Sequence, residues 1–167
     1  TPFSLPSRSS RVESCSVPGP PRATRYTASL PPMAWTVRFL EDVALADLAF
    51  EATGESLEDV FRGATQALVE SMANPATVSG GWKRMIERRD TDQSTLLFDW
   101  LSEVVFREAP LTLTWEGNVL LLRACLIGSP VDRQSQELRN DVKGVTKHLY
   151  DLKQNGGQWR ARVVLDV

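Results

Sequence analysis

The last two residues of the chain, Asp166 and Val167, bring several oxygen donors together. The Asp166 side-chain carboxylate, its peptide carbonyl and the terminal carboxylate of Val167 are close neighbours along the backbone. Oxygen groups of this kind are the ligands that hard divalent cations prefer. An acid near the end of a chain is also commonly just solvated. The residue types alone therefore leave open both a cation site and a solvated end.

A second pair of acids, Asp99 and Glu103, is spaced by four residues in a predicted helix. That spacing puts both on one helix face, where they could serve acid–base chemistry or form an ordinary solvated surface. We favour the solvated surface. The chain has a single histidine, His148, which excludes any site built from two histidines. Its two cysteines form no C-x-x-C pair, so neither a disulfide framework nor a zinc site is indicated.

The C-terminal acid lies at the end of a predicted β-hairpin. Two alternating runs, 142–152 and 158–165, flank Asn155-Gly156-Gly157, and glycine beside asparagine supplies the positive φ angles of a tight hairpin turn. Alternation sorts the second run into an apolar face (Trp159, Ala161, Val163, Leu165) and an opposite face (Arg160, Arg162, Val164, Asp166).

Other periodic segments predict the elements that must support this hairpin. Apolar residues at three- and four-residue steps predict two amphipathic helices, and period-two alternation predicts strands. Ser56 followed by two acids is typical of a helix N-terminus. The predicted helices are 57–72 and a second one from about 92–94 to 109–110 at the latest; the predicted strands are 35–40, 46–53, about 82–86, 111–115 and 119–127. We expect an α+β fold, with both helices packed on one face of a mostly antiparallel β-sheet that ends in the C-terminal β-hairpin.

Composition divides the 167-residue chain into two parts. Residues 1–32 contain seven of the ten prolines, seven serines and four arginines, with Glu13 as the one acid. Such a segment buries too little apolar surface to order itself, so we expect a disordered tail that is either non-native sequence or a transit segment; we favour the former. Residues 33–167 form the folded domain. No apolar run is long enough for a membrane span, and the cysteine usage fits the cytoplasm.

Several motifs resemble those of the archease family. Val-Lys-Gly-Val-Thr-Lys-His at 142–148 and Trp-Arg-Ala-Arg-Val-Val-Leu-Asp-Val at 159–167 match its C-terminal signature. Asp47, then Gly-Glu-Ser-Leu-Glu-Asp-Val-Phe at 54–61, and Leu-Phe-Asp-Trp-Leu-Ser-Glu at 97–103 match two further stretches. The resemblance covers about Met33 to Val167.

The resemblance implies a metal site and contact residues. In archeases an aspartate at the position of Asp47 and one at the position of Asp166 share a divalent metal ion with the carbonyl of the final residue. The carried-over ligands are therefore Asp47, Asp166 and Val167, and the ion would be calcium, or magnesium or manganese. Lys143 and His148 are expected to contact the partner or its nucleotide, although Lys143 could equally be an ordinary exposed strand lysine.

Three departures separate this chain from the family pattern. Ala44 and Gln136 stand where archeases usually carry histidines, which could weaken or retune metal binding. The connection after the second helix, 106–110, is also shorter than in most archeases.

The resemblance implies an accessory protein rather than an enzyme. We expect an activator of the tRNA-splicing RNA ligase that promotes guanylylation and turnover of the ligase, meets RNA only indirectly through it and binds no membrane. The excess of acids in 33–167 argues against non-specific RNA binding. Two alternatives remain: a chaperone or specificity modulator of an RNA methyltransferase or other RNA-processing protein, and a hydrolase using Asp99 and Glu103.

Overall fold

The computed structural model describes residues 34–40, 48–104 and 111–167. In chain order the elements are β1 (Trp35–Leu40), β2 (Leu48–Gly54), α1 (Leu57–Met72), a short 3-10 turn (Pro75–Thr77), β3 (Trp82–Asp90), α2 (Gln93–Glu103), β4 (Leu111–Glu116), β5 (Val119–Gly128), β6 (Gly144–Asn155) and β7 (Gln158–Asp166). The predicted tail, 1–32, lies outside the described residues and stays a prediction.

The strands form two antiparallel sheets. The first has the order β1-β2-β7-β6 and the second β3-β5-β4. The expected α+β fold is confirmed, with the difference that the predicted strands are divided between two sheets instead of one. One hydrophobic core unites both sheets with both helices, because α1 and α2 each contact a strand of either sheet. Neither described helix combines the length and the apolar character that crossing a membrane requires.

Helix α1 begins at a reciprocal capping box. The Asp59 N–H donates to Ser56 Oγ at 3.1 Å, and the Ser56 N–H donates to Asp59 Oδ2 at 3.0 Å, so two unpaired N–H groups of the first turn are satisfied. Gly54 ends the preceding strand so close to this box that an added Cβ would lie 2.6 Å from Asp59 Cβ. The approach of β2 to the helix therefore requires glycine at this position.

The two helices are joined through a buried hydrogen bond. Trp100 of α2 is fully buried, and its Nε1–H donates to Thr65 Oγ1 of α1 at 2.8 Å. The Thr65 hydroxyl in turn donates to the Phe61 carbonyl at 2.6 Å. Since a buried indole N–H without a partner is costly, this pair fixes how α2 packs on α1.

The segment 137–140 covers the carboxyl end of α1. The Arg139 N–H donates to the Met72 carbonyl at 2.8 Å, and the Asn140 N–H donates to the Ser71 carbonyl at 3.1 Å. The last carbonyls of a helix have no partner within the helix, so a second segment supplies the donors here. The segment then leads directly into β6 and toward the end of the first sheet.

The C-terminal hairpin has the predicted turn and an unpredicted bulge. Gly156 and Gly157 adopt φ angles of 58° and 82°, as a tight turn requires. Strand β6 pairs with β7 at both ends, but the register shifts between Thr146 and Asp151. Leu149 lies within that bulge with a φ of 57°, a conformation that a branched side chain rarely adopts. The predicted boundaries 142–152 therefore differ from Gly144–Asn155.

Two other boundaries also differ from prediction. Strand β3 continues to Asp90, four residues past the predicted run, because its outer face is a series of charged side chains that alternation of apolar residues does not reveal. Helix α2 ends at Glu103, and 105–110 lie outside the described residues.

Candidate functional site

The starts of β2 and β6 and the end of β7 lie together at one side of the first sheet. Leu48 pairs with Leu165 across β2 and β7, and Gly144 pairs with Asp166 across β6 and β7. Leu165 is fully buried whereas Asp166 is exposed, so the chain passes from core to solvent within one residue. The Asp166 carboxylate therefore stands at the rim of the sheet, on solvent.

Asp47 and Ala44 fall outside the described residues. Leu48, the chain neighbour of Asp47, pairs with Leu165, the chain neighbour of Asp166. The covalent neighbours of the two predicted ligands are thus cross-strand partners. Whether the two carboxylates share an ion stays a prediction.

Lys143 holds the chain end through two contacts. Its backbone N–H donates to the Asp166 carbonyl at 2.8 Å, and its side-chain Nζ donates to the Val167 carbonyl oxygen at 3.2 Å. Val167 is half-buried and packs against the core, whereas Lys143 is exposed. The predicted contact lysine and two of the predicted metal ligands therefore lie together.

His148 lies in the β6 bulge rather than beside Asp166. Its imidazole is exposed, and its backbone N–H donates to Thr146 Oγ1 at 3.0 Å. The neighbouring Lys147 Nζ lies 5.2 Å from the centre of the Phe98 ring, a distance typical of a cation–π contact. His148 is therefore a solvent-exposed residue of the bulge.

The donor set at the strand end is suited to a hard cation. Its members are all oxygen atoms: the Asp166 carboxylate, and the carbonyl oxygens of Asp166 and Val167, each of which also accepts a hydrogen bond from Lys143. Within 34–40, 48–104 and 111–167, no three His, Cys, Asp or Glu side chains come close enough to hold a metal together. A site here would consequently depend on backbone oxygens and on Asp47.

Gln136, one of the two positions where archeases usually carry histidine, has a structural role. Its Nε2 donates to Ser129 Oγ and to the Pro130 carbonyl, both at 2.9 Å, and its Oε1 accepts from the Asp132 N–H at 3.0 Å. Both ends of the amide are therefore occupied within the 129–136 loop. Gln136 therefore stabilises that loop through hydrogen bonds at both ends of its amide.

The two acids predicted on one face of α2, Asp99 and Glu103, have different surroundings. Glu103 is ion-paired with Arg88 and, at 3.5 Å, with Arg84, both on strand β3. Asp99 is exposed to solvent. Asp99 fits the solvated-surface interpretation, whereas Glu103 is ion-paired, and the hydrolase alternative stays a prediction.

Sequence reasoning missed a buried carboxylate on the outer face of the first sheet. Glu51 is 6% exposed and accepts from Arg162 Nη2 at 2.7 Å and from Arg38 Nη2 at 2.8 Å. Arg160 Nη1 lies 3.6 Å from the same carboxylate. The Arg162 and Arg38 hydrogen bonds hold the pKa of Glu51 below its ordinary value, against the opposing effect of burial. The only sequence signal was the alternation of charges on β7, which has no visible partner until β2 is placed beside it.

A groove of about 750 Å³ lies between the end of α1, the end of β5 and the segment 129–142. Its apolar lining includes Val69, Met72, Val78, Val131, Leu138 and Val142. Val131 and Leu138 are exposed, so the groove opens to solvent along an apolar wall.

The described residues thus define a small two-sheet α+β protein that gathers a lysine and an oxygen-donor strand end at one rim. The profile of the Archease protein family (MTH1598/TM1083) matches residues 38–167. The chain belongs to the archease family.

Individual relatives agree with this assignment. The chain is 30% identical to Protein archease of Methanothermobacter thermautotrophicus over 131 residues, which cover 73% of this chain and 93% of the relative. It is also 30% identical to Protein archease of Methanosarcina mazei, over 73% of this chain and 90% of the relative.

Two solved structures share the fold. The solution structure of Methanobacterium thermoautotrophicum protein 1598 is 29% identical, with a TM-score of 0.65 over 81% of this chain and 99% of that one. The crystal structure of an archease from Thermotoga maritima, described as a possible chaperone, is 21% identical, with a TM-score of 0.52 over 74% of this chain and 93% of that one. The second likeness concerns the fold alone.

Proposed function

We propose that this protein activates the tRNA-splicing RNA ligase, promoting guanylylation and turnover of the ligase with the help of a divalent metal ion. The observation that carries the proposal is the cluster of Lys143, Asp166 and Val167 at the end of β7, beside the start of β2. These are the positions at which archeases are expected to bind their metal and meet their partner.

The metal would be held by oxygen atoms. The Asp166 carboxylate is exposed at the rim, and Asp47 precedes the strand that pairs with β7. The Val167 oxygen accepts a hydrogen bond from the Lys143 ammonium group, which would have to make room for the ion. A calcium, magnesium or manganese ion would supply positive charge close to the partner's nucleotide and so offset the charge of its phosphates.

The protein side chains would orient this end. Because Lys143 already bonds to the Val167 oxygen, its ammonium group positions the terminal peptide and adds positive charge beside the rim. His148 is exposed on the bulge of β6, the strand that follows Lys143, and would contact the ligase there.

A ligation assay with the cognate ligase tests the proposal. The wild-type protein should increase multiple-turnover ligation and the guanylylated fraction of the ligase, and Asp166→Asn and Asp47→Asn should each remove this gain. Asp99→Asn is the matched control, since it makes the same change on an exposed helix position. Full activation by Asp166→Asn would overturn the proposed role of the rim.

Thermal unfolding with added cations tests the metal separately. An ion that binds only the native state stabilises it, so calcium or manganese should raise the Tm of the wild type and not that of Asp166→Asn. An unchanged wild-type Tm at millimolar calcium and manganese would remove the metal from the proposal.

A chaperone role is the second candidate. The open apolar groove at the end of α1 offers a surface for another protein, and the Thermotoga maritima archease is described as a possible chaperone. Affinity purification of the full chain from its own cells separates the two: a ligase in the eluate supports activation, whereas an RNA methyltransferase without a ligase supports the chaperone role.

A further inference from the structure

The outer face of the first sheet carries two rows of charged and hydroxyl side chains. Pairing across β1, β2, β7 and β6 aligns Arg38, Glu51, Arg162 and Asp151 in one row, and Thr36, Thr53, Arg160 and Lys153 in the next. These eight residues are called the cationic face below. The face is defined by antiparallel register, so the rows lie side by side on one surface.

The first row is balanced in charge and the second is not. Positive and negative groups alternate from Arg38 to Asp151, and this alternation needs no ligand to explain it. In the second row Arg160 faces Lys153 directly, and the other two members are threonines. Each of these two cations has an acid of the first row beside it: Lys153 Nζ lies 2.7 Å from Asp151 Oδ2, and Arg160 Nη1 lies 3.6 Å from Glu51 Oε1. The two rows together therefore form one network of four cations and two acids, with an excess of positive charge.

Because the Glu51 carboxylate is buried, the solvent-exposed surface of the cationic face carries more positive charge than its residue composition suggests. Glu51 lies beneath the arginines with 6% exposure, whereas Arg38, Arg160 and Arg162 are 73%, 39% and 36% exposed. An approaching ligand therefore meets guanidinium groups, with Asp151 as the one more accessible acid of the two rows. Glu51 also restrains the arginines, so less side-chain freedom is lost when they bind a ligand.

We propose that the cationic face binds the phosphate backbone of single-stranded RNA. Guanidinium groups pair with phosphate oxygens in a two-point geometry, and Lys153 adds a further donor. The hydroxyls of Thr36 and Thr53 are hydrogen-bonded to each other at 2.6 Å, so one of the two O–H groups is left to donate. The chain as a whole has a formal net charge of −2, so binding depends on this local separation of charge.

Two features favour an RNA backbone over a protein partner or a base-specific site. None of the large apolar side chains that are exposed in the described parts of the chain belongs to the two rows, so the face has no anchor of the kind that protein interfaces use. The rows also contain no aromatic residue on which a base could stack, so the contact is confined to the phosphates, without the stacking that many single-strand binders add. Binding should therefore be electrostatic and independent of sequence.

The cationic face shares one side of β7 with the candidate metal end. Arg160, Arg162 and Asp166 alternate outward along that strand, and the span from Arg160 to Asp166 is about 20 Å. A bound strand would therefore run toward the rim. The proposal nevertheless does not rest on ligase activation, because it concerns RNA binding by this protein alone.

The test is fluorescence anisotropy of labelled oligouridylate RNA with the full chain and no ligase, across a range of salt concentrations. Arg160→Gln/Lys153→Gln removes the two cations of the second row and leaves the Glu51 hydrogen bonds to Arg38 and Arg162 in place. We expect about tenfold weaker binding at 50 mM salt, and a salt slope reduced by about 1.4, since each phosphate contact to a single strand contributes about 0.7.

Arg84→Gln/Lys83→Gln is the matched control. It removes the same charge from exposed positions on β3, and residues 1–32 with their arginines are present in both variants. The control should bind like the wild type. Equal binding by both double variants, absence of salt-dependent binding by the wild type, or equally tight binding of polyglutamate would each overturn the proposal.

Discussion

Glu51 and Glu87 have the same kind of partners in different surroundings. Each lies on the outer face of a sheet and accepts hydrogen bonds from two arginines: Glu51 from Arg38 and Arg162, Glu87 from Arg89 and Arg123. The Glu51 side chain is 6% exposed, whereas that of Glu87 is 46% exposed. The pKa of each is lowered chiefly by hydrogen bonds from its arginines.

The difference shows that burial sets how much the same kind of ion pair contributes to stability. Water and salt screen the Glu87 pairs and replace them at little cost, as is usual for exposed ion pairs. Glu51 has lost its water, so its arginines are the groups that stabilise its charge. We therefore expect the four-stranded sheet to depend on its ion network and the three-stranded sheet to tolerate the loss of its own.

Replacing the two glutamates gives the largest contrast. Glu51→Ala should lower the free energy of unfolding by about 3 kcal/mol, because it leaves three arginines near one another without the carboxylate that pairs with them. Glu87→Ala should leave the urea midpoint close to that of the wild type. Similar losses in the two variants would show that burial does not separate these networks.

Replacing one arginine partner of each glutamate should have the next largest effect. Arg162 donates two hydrogen bonds to Glu51, through Nε at 3.0 Å and Nη2 at 2.7 Å, so Arg162→Gln should cost about 2 kcal/mol. Arg123→Gln is the counterpart on the other sheet and should cost less than the resolution of chemical denaturation. A loss for Arg123→Gln that matched the loss for Arg162→Gln would contradict the comparison.

Acid should act on Glu51 with a defined sign. Its native pKa is below the unfolded value of about 4.3, so the native state binds a proton less readily than the unfolded state does. The stabilisation is complete above that unfolded value and is lost as pH falls through the lowered native value. The free energy of unfolding, measured from pH 6 down to pH 3, should fall steeply in the wild type and less steeply in Glu51→Gln.

Salt sharpens the same contrast. In 1 M NaCl, the contribution of Glu87 to the pH dependence of the free energy of unfolding should decrease, whereas most of the contribution of Glu51 should remain. The readout is the difference between each Gln variant and the wild type at low and high salt.

The smallest effect is expected at Arg38. It bonds to Glu51 at 2.8 Å, but its own side chain is 73% exposed, so Arg38→Gln should cost about 1 kcal/mol or less. A cost above that of Arg162→Gln would show that the number of hydrogen bonds does not set the order within the network.

Local patterns in the sequence predicted the elements but not their arrangement. The capping serine Ser56, the apolar period of α1 and the glycine turn at 156–157 are short-range signals, and the structure confirms all three. The division into two sheets depends on which strand edges meet over long distances, and alternation within a strand carries no information on that. The shifted register around Leu149 is likewise invisible, because no glycine or proline marks it.

The candidate site was predicted in part. Asp166, Val167 and Lys143 came from the resemblance, and the structure places them in contact through Lys143. Asp47 and the cation itself remain predictions. Glu51 escaped notice because an isolated Glu in a strand pattern looks like a solvated residue, and only the pairing of β2 with β1 and β7 brings its arginines to it.

The position of β7 inside the first sheet bears on how the protein folds during synthesis. Strand β7 follows every other described element in the chain, yet it lies between β2 and β6, and Arg162 meets Glu51 from 111 residues away. Until the ribosome has made β7, β2 lacks one of its two neighbouring strands. The apolar side chains of β1 and β2 can then pack only against α1. Contacts of such long sequence separation slow folding, and an unpaired strand edge invites association with other chains meanwhile. The step that completes the first sheet is therefore also the step that places Asp166 at its rim, so only a fully folded molecule presents the candidate site.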